Sequence, residues 1–199
     1  MLFAAGFGTR MGALTVDRPK PMIHVAGKPL IDHALQQVTE YGATTIVANT
    51  HYKPEILQAH LSPTNVMLSH EHPEVLETGG GLRAALPLLG DDPVFTMNTD
   101  AVWDGPNSLQ HLEKMWNPDA MDALLLCVPK SRAIGHTGTG DFIIDTQGRA
   151  TRGPGLIYTG LQILKTGGLA AINQNKFSLN VLWDEMAIND RLYAVEYPG

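Results

Sequence analysis

Apolar and polar positions along this chain fall into blocks that switch between strand and helix periods. Met1-Leu2-Phe3 opens as a short buried run, and a loop of small residues interrupts it. Beyond Pro29, the residues Leu30, Ile31, Ala34, Leu35, Val38 and Tyr41 recur at helical spacing and make one apolar stripe. Pro29 suits the first turn of that helix, and Gly42 suits the position just past its end. A buried strand is predicted over 44–48, a short helix over Pro54–Leu61 and a strand over 65–69. A helix over 80–89 stops at Gly90, a strand follows over 94–97, a helix over about 108–116 and a strand over 124–128. The Asp91-Asp92 pair and Asp104 fit turn and cap geometry.

Alternation of this kind predicts an α/β fold, a Rossmann-like, mostly parallel sheet with helices on both faces. Ligands in such sheets sit beyond the carboxyl ends of the strands. After 128 the texture changes. Residues 135–140 read as a loop, and 141–145 with 149–152 as a hairpin around Gln147-Gly148. The run 155–160 reads as a strand that delivers residues to a pocket. Ser178 can cap a last helix over about 179–187, and Leu192–Glu196 closes as a strand. With no repeat, linker or low-complexity tract, residues 1–199 are expected to form one domain. About 1–130 is its larger α/β half, and about 131–199 a smaller, β-rich half.

Chemistry concentrates in the opening loop, Ala4-Ala5-Gly6-Phe7-Gly8-Thr9-Arg10-Met11-Gly12, and in Asp17-Arg18-Pro19-Lys20-Pro21 beyond it. Glycines 6 and 8 let backbone N–H groups turn toward an anion. Arg10 can fork onto phosphate oxygens, and Lys20 adds a compact charge. A P-loop is excluded, since no Lys follows Gly12. A dinucleotide fingerprint is excluded too: the third glycine comes one residue late, and Pro19 and Pro21 forbid a long helix directly after the loop. Ala5, Gly6, Gly8, Thr9, Arg10 and Lys20 are therefore candidate nucleotide contacts. Asp100 ends the run Asn98-Thr99-Asp100 at the mouth of the sheet, where one carboxylate can hold Mg²⁺ against a triphosphate. The glycines of Glu77-Thr78-Gly79-Gly80-Gly81 suit close approach of a flat ligand, which makes Thr78 and Gly79 candidates. The histidines of Ser69-His70-Glu71-His72-Pro73 lack a third ligand, so a metal site there is disfavoured.

Composition narrows the classes. Hydrophobic content of 44% and charged content of 17% over 199 residues suit a globular chain. A net charge of −6 argues against a general nucleic-acid surface. The single cysteine, Cys127, excludes an intrachain disulfide and reads as a small buried hydrophobe. No apolar run approaches the ~20 residues of a membrane span, so a cytoplasmic enzyme, monomeric or homodimeric, is expected.

The pattern Gly6-Phe7-Gly8-Thr9-Arg10-Met11, Pro19-Lys20-Pro21-Met22-Ile23 and Val25-Ala26-Gly27-Lys28-Pro29-Leu30-Ile31 resembles the sugar-1-phosphate nucleotidylyltransferases. Glu77–Gly81 and Asn98-Thr99-Asp100 extend the match, which is nearest to the N-acetylmuramate-1-phosphate uridylyltransferase branch, with mannose-1-phosphate guanylyltransferases next. The resemblance implies the nucleotide-diphospho-sugar transferase fold, with about 1–130 as the nucleotide-binding half and about 131–199 as the sugar-binding half. It also implies a Mg²⁺-dependent reaction of a nucleoside triphosphate, UTP favoured, with a sugar 1-phosphate. Arg10 then serves the β and γ phosphates and Lys20 the α phosphate, with Arg10, Lys20 and Asp100 as the catalytic set. Gly140, Asp141, Thr159, Gly160 and Asn180 match positions near the sugar phosphate, and Arg152 is a further candidate for it. Mannose 1-phosphate with GTP, phosphocholine with CTP, or a catalytically weak regulatory protein are the alternatives. The last of these arises because relatives continue with a Trp-x-Asp-x-Gly segment that supplies a second metal-ligating Asp. This chain stops at Gly199, so a truncated form that binds nucleotide but turns over poorly is expected.

Overall fold

The computed structural model describes residues 1–90 and 93–199. The Asp91-Asp92 pair lies outside the described residues. The chain runs β1 (Leu2–Phe3), β2 (His24–Val25), β3 (Lys28–Pro29), α1 (Leu30–Tyr41), β4 (Val47–Thr50), α2 (Pro54–Leu61), β5 (Met67–His70) and α3 (Glu77–Leu89). It continues with β6 (Val94–Asn98), α4 (Ser108–Met115), β7 (Ala123–Val128), β8 (Phe142–Ile144), β9 (Ala150–Arg152), β10 (Ile157–Leu164), α5 (Asn180–Ile188) and β11 (Leu192–Glu196).

Seven strands make one sheet in the order β11-β7-β10-β6-β1-β4-β5. Neighbours are parallel except at β10, which runs antiparallel to both β6 and β7. The mostly parallel α/β arrangement expected from the sequence is thus present, with one reversed strand near its centre. Alternating residues of β7 divide the core into two layers. Leu124, Leu126 and Val128 join Ile31, Ala34 and Val38 of α1, Leu57 and Leu61 of α2, and Leu109 and Leu112 of α4. Ala123, Leu125 and Cys127 join Leu82 and Ala85 of α3, and Leu182, Trp183 and Met186 of α5, on the other face. A strand buried on both faces reads as a continuous apolar run, and Ala123–Val128 is one.

Several boundaries differ from the sequence pattern. Pro29 lies in extended backbone ahead of α1 and not in its first turn, so the helix begins at Leu30. Gly42 ends it at φ 87°, as its missing Cβ permits. β4 begins at Val47, because Thr44 and Thr45 stay exposed in the connection. α3 starts three residues before its expected first residue, so all three glycines of Glu77–Gly81 lie within the helix. β10 runs on through Leu161-Gln162-Ile163-Leu164, beyond the segment read as a strand. Its pairing with β7 slips between Tyr158 and Gln162, a bulge that contains Thr159 and Gly160.

Candidate active site

β1, β4 and β6 run in parallel and end at the same edge of the sheet, and the loops after β1 and β6 meet there. They enclose a cleft of about 420 Å³ bordered by Ala5, Gly6, Gly8, Thr9, Arg10, Lys20, Glu77, Thr78, Asn98 and Asp100, among others. The cations and the carboxylate singled out in the sequence therefore share one space.

The opening loop has its shape for local reasons. Gly8 sits at φ 64°, and a Cβ there would come within 2.9 Å of Lys20 Cβ and Thr15 Cγ2. Any side chain at 8 would push Lys20 away. The Thr15 hydroxyl donates toward the Gly8 and Gly12 carbonyls at 3.2 Å. Tyr52 holds the far end of the loop by donating to the Thr15 and Val16 carbonyls. Phe7 packs edge-on against His51, with ring centres 5.2 Å apart. The backbone N–H groups of Gly6, Phe7 and Gly8 have no acceptor among the described residues, and Gly6 faces open space. Consecutive unbonded N–H groups beside a cation make an anion-binding concavity.

Lys20 Nζ donates to Asp100 Oδ2 at 2.5 Å, and both side chains are partly exposed. The second oxygen of Asp100 has no hydrogen bond among the described residues. Arg10 is exposed and has neither a hydrogen bond nor an ion pair among them, so its guanidinium is open to a ligand. No group of three or more metal-ligating side chains occurs among the described residues. A divalent ion at Asp100 would therefore draw most of its oxygens from substrate and water. That donor set fits Mg²⁺, which is usually bound by one or two carboxylates plus phosphates.

Beneath the loop lies a buried polar chain that the sequence reading did not find. Ala4 N–H donates to Asn49 Oδ1 at 2.6 Å, and Asn49 Nδ2 donates to Glu71 Oε1 at 2.7 Å. Glu71 Oε2 accepts the Leu76 N–H at 2.7 Å. Glu71 is 1% exposed. The glycine loop, β4, the segment after β5 and the start of α3 are thereby fixed to one another. His70 and His72, on either side of Glu71, stack with ring centres 6.1 Å apart at the surface.

The glycines of α3 serve the protein more than a ligand. A Cβ on Gly79 would lie 2.3 Å from the Phe177 ring, one on Gly80 2.3 Å from the Asn175 carbonyl oxygen, and one on Gly81 2.4 Å from Glu71 Oε1. The Gly79 N–H is spent on the Phe177 carbonyl, and Gly79 borders neither pocket. Thr78 borders both pockets, and its hydroxyl accepts the Leu179 N–H at the start of α5.

A second pocket of about 290 Å³ adjoins the cleft through Thr78 and Asn98 and is bordered by Asp141, Phe142, Arg152, Tyr158, Gln162, Asn180 and Trp183. Of the residues assigned to the sugar phosphate, Asp141, Arg152 and Asn180 are brought together here, and Gly140, Thr159 and Gly160 are not. The Thr159 hydroxyl is turned onto the Leu126 carbonyl at 2.7 Å. Gly160, at φ 86°, lies under Asn98, where a Cβ would approach to 2.8 Å. Gly140, at φ 111°, packs on the Gly155 backbone. Arg152 donates through Nε and Nη2 to Asp184 Oδ1 at 3.2 Å and lies over the rings of Phe142 and Trp183. Asp141 Oδ2 accepts the Tyr158 N–H. Burial, with a smaller effect of Asp141, pushes the Cys127 thiol up to about 12, so it stays a neutral core residue. Burial likewise raises the Tyr158 phenol well above its ordinary value.

The comparisons with known proteins agree with this arrangement. An N-acetylmuramate alpha-1-phosphate uridylyltransferase from Caulobacter vibrioides is 36% identical over the whole chain and 88% of that protein. Its namesake from Neisseria meningitidis is 33% identical over 83% of this chain and 74% of its own length. A mannose-1-phosphate guanyltransferase from Hypocrea jecorina matches at 36% over 53% of this chain but 31% of that longer protein. HddC from Yersinia pseudotuberculosis, solved with GMP-PN, superposes with a TM-score of 0.75 at 21% identity over 98% of this chain and 88% of that one. A putative glucose-1-phosphate thymidylyltransferase from Bacillus anthracis gives 0.78 at 15% identity, covering 100% of this chain and 86% of that one. Both structures establish the fold, that of nucleotide-diphospho-sugar transferases. The MobA-like NTP transferase domain matches residues 1–151, and the chain belongs to that family of nucleotidyltransferases.

Proposed function

We propose that this chain joins a nucleoside triphosphate to a sugar 1-phosphate, forming a nucleotide-activated sugar and releasing pyrophosphate. UTP and N-acetylmuramate 1-phosphate are the favoured pair, because a relative that aligns over the whole chain carries the name of a uridylyltransferase for that sugar phosphate. The observation that carries the reading is the meeting, in one cleft, of the Lys20–Asp100 pair, the unpaired Arg10 and the unbonded N–H groups of Gly6, Phe7 and Gly8.

The triphosphate lies along the glycine loop, with its β and γ phosphates at Arg10 and the backbone donors. Lys20 faces the α phosphate. The sugar occupies the second pocket, between Asp141, Arg152 and Asn180, and its phosphate reaches the cleft past Asn98 and Thr78. That phosphate is already ionised and needs no general base. Its oxygen attacks the α phosphorus as the bond to the β-phosphate oxygen breaks, and pyrophosphate leaves on the loop. Alignment and charge neutralisation supply the rate, as in other phosphoryl and nucleotidyl transfers. Asp100 would hold a Mg²⁺ ion, which when bound neutralises charge on the phosphates. Among the described residues no helix is long and apolar enough to cross a membrane, and supply of nucleoside triphosphate suits a cytoplasmic role in nucleotide-sugar synthesis for the cell wall.

The test is a pyrophosphate-release screen that crosses four nucleoside triphosphates with several sugar 1-phosphates and phosphocholine. Release is expected with UTP and N-acetylmuramate 1-phosphate. Release with GTP and mannose 1-phosphate alone would replace that pair while keeping the reaction. Nucleotide binding without release for any pair would overturn the reading in favour of a regulatory protein.

A further inference from the structure

Gln162 borders the second pocket, and its chemistry is unused by the reaction just described. It lies in the part of β10 beyond the bulge and is 1% exposed. Its neighbour fixes which way the amide points. Trp183 Nε1 can only donate, and it donates to Gln162 Oε1 at 2.8 Å. The amide must therefore present its NH₂ on the other side, and those donors have no acceptor among the described residues. The Nε2 atom is not shut off from solvent: it reaches the open pocket, where a ligand oxygen can accept from it.

The surroundings limit what that oxygen belongs to. Phe142, Tyr158 and Trp183 form aromatic walls of the same pocket, with Arg152 lying over the Phe142 and Trp183 rings. Its charged residues are Asp141 and Arg152, and Arg152 is already engaged by Asp184. Positive charge is therefore not in excess, and a second buried anion is poorly accommodated. A neutral carbonyl attached to a small apolar group fits both the donors and the rings.

We propose that Gln162 is a specificity-determining residue that donates from Nε2 to the acyl carbonyl of an acylamino sugar 1-phosphate. The acyl methyl lies against the aromatic walls. This rests on the assignment of the second pocket to the sugar. It implies that the N-acyl group is read at the pocket floor, while Arg152 meets groups nearer the rim.

The experiment measures kcat/KM for two matched pairs, N-acetylglucosamine 1-phosphate against glucose 1-phosphate and N-acetylmuramate 1-phosphate against muramate 1-phosphate. The wild-type chain is expected to prefer the acylated member of each pair by about 30-fold. Gln162→Met removes the donors, and that preference should fall to about threefold, chiefly through the sugar KM. Because Met also leaves the Trp183 N–H unpaired, Gln162→Glu is the companion variant: as a carboxylate it keeps the acceptor for Trp183, carries no donor, and should lower the preference to about threefold as well. Thermal unfolding and UTP affinity report whether each variant is folded. Turnover without acyl preference in the wild type, or a preference that survives in folded variants, overturns the role of Gln162 while leaving the reaction standing. Failure to turn over any sugar 1-phosphate overturns the reaction and this inference together.

Discussion

In the proposed reaction, Lys20 is the residue asked to do most. It is held between Gly8, whose missing Cβ makes room for its side chain, and Asp100, whose carboxylate lies 2.5 Å from Nζ. A charge so placed interacts most strongly as negative charge develops around the α phosphorus, so its removal should lower turnover more than ground-state binding. Lys20→Ala is expected to reduce kcat about a hundredfold, near 3 kcal/mol, with the UTP KM changed severalfold at most. Asp100→Asn keeps the size and a hydrogen-bonding oxygen but removes the charge. Its activity should collapse and recover only partly with excess Mg²⁺. Steady-state kinetics across Mg²⁺ concentrations checks both, and wild-type kcat in either variant would return that residue to an ordinary surface role.

At the level of elements, what could be read from the sequence depended on whether the information was local. Pro54 starts α2 in its first turn, and α2 spans the predicted Pro54–Leu61. Leu192–Glu196 alternates buried positions with less buried ones and forms β11 over the predicted range. The loop cations and Asp100 were visible because glycines, prolines and a strand end frame them. What escaped is set by register between distant segments. Asn49 and Glu71 meet only because β4 and β5 pair in parallel, and no local signal in Ser69–Pro73 marks Glu71 as buried. The glycines of α3 suggested space for a ligand but leave room for Phe177, Asn175 and Glu71, which arrive from elsewhere in the chain. The Asn49–Glu71 chain joins four segments around the cleft, which predicts an effect larger than one exposed hydrogen bond. In Glu71→Gln one carboxylate oxygen becomes an NH₂ facing either Asn49 Nδ2 or the Leu76 N–H, so a donor meets a donor. A loss of about 2 kcal/mol in stability is expected, with weaker nucleotide binding because Ala4 and the glycine loop lose their anchor. Denaturant unfolding and nucleotide titration measure the two effects. A variant of wild-type stability that binds UTP normally would show that the chain does not position the loop.

For the whole molecule, the question is how two pockets on one sheet edge act together. None of Arg10, Lys20 or Asp100 borders the second pocket, and none of Asp141, Arg152 or Asn180 borders the first. Thr78 and Asn98 border both, and Gly160 of the β10 bulge lies directly beneath Asn98. The antiparallel strand thus brings the β-rich half of the chain against the end of β6, where the attacking phosphate passes in the proposed reaction. Sites without shared partners contribute additively, and residues linked through a common neighbour do not. Arg10→Ala should raise the UTP KM and leave the sugar-phosphate KM near its wild-type value, and Arg152→Ala should do the reverse. The double variant should then show a loss in kcat/KM equal to the sum of the single losses to within about 0.5 kcal/mol. Asn98→Ala should raise both KM values, because it alters the wall the two substrates share. A full kinetic matrix over both substrates measures all four enzymes. An interaction well above that limit between Arg10 and Arg152, or an Asn98→Ala effect on one substrate only, would mean that the two pockets are not joined where the geometry joins them.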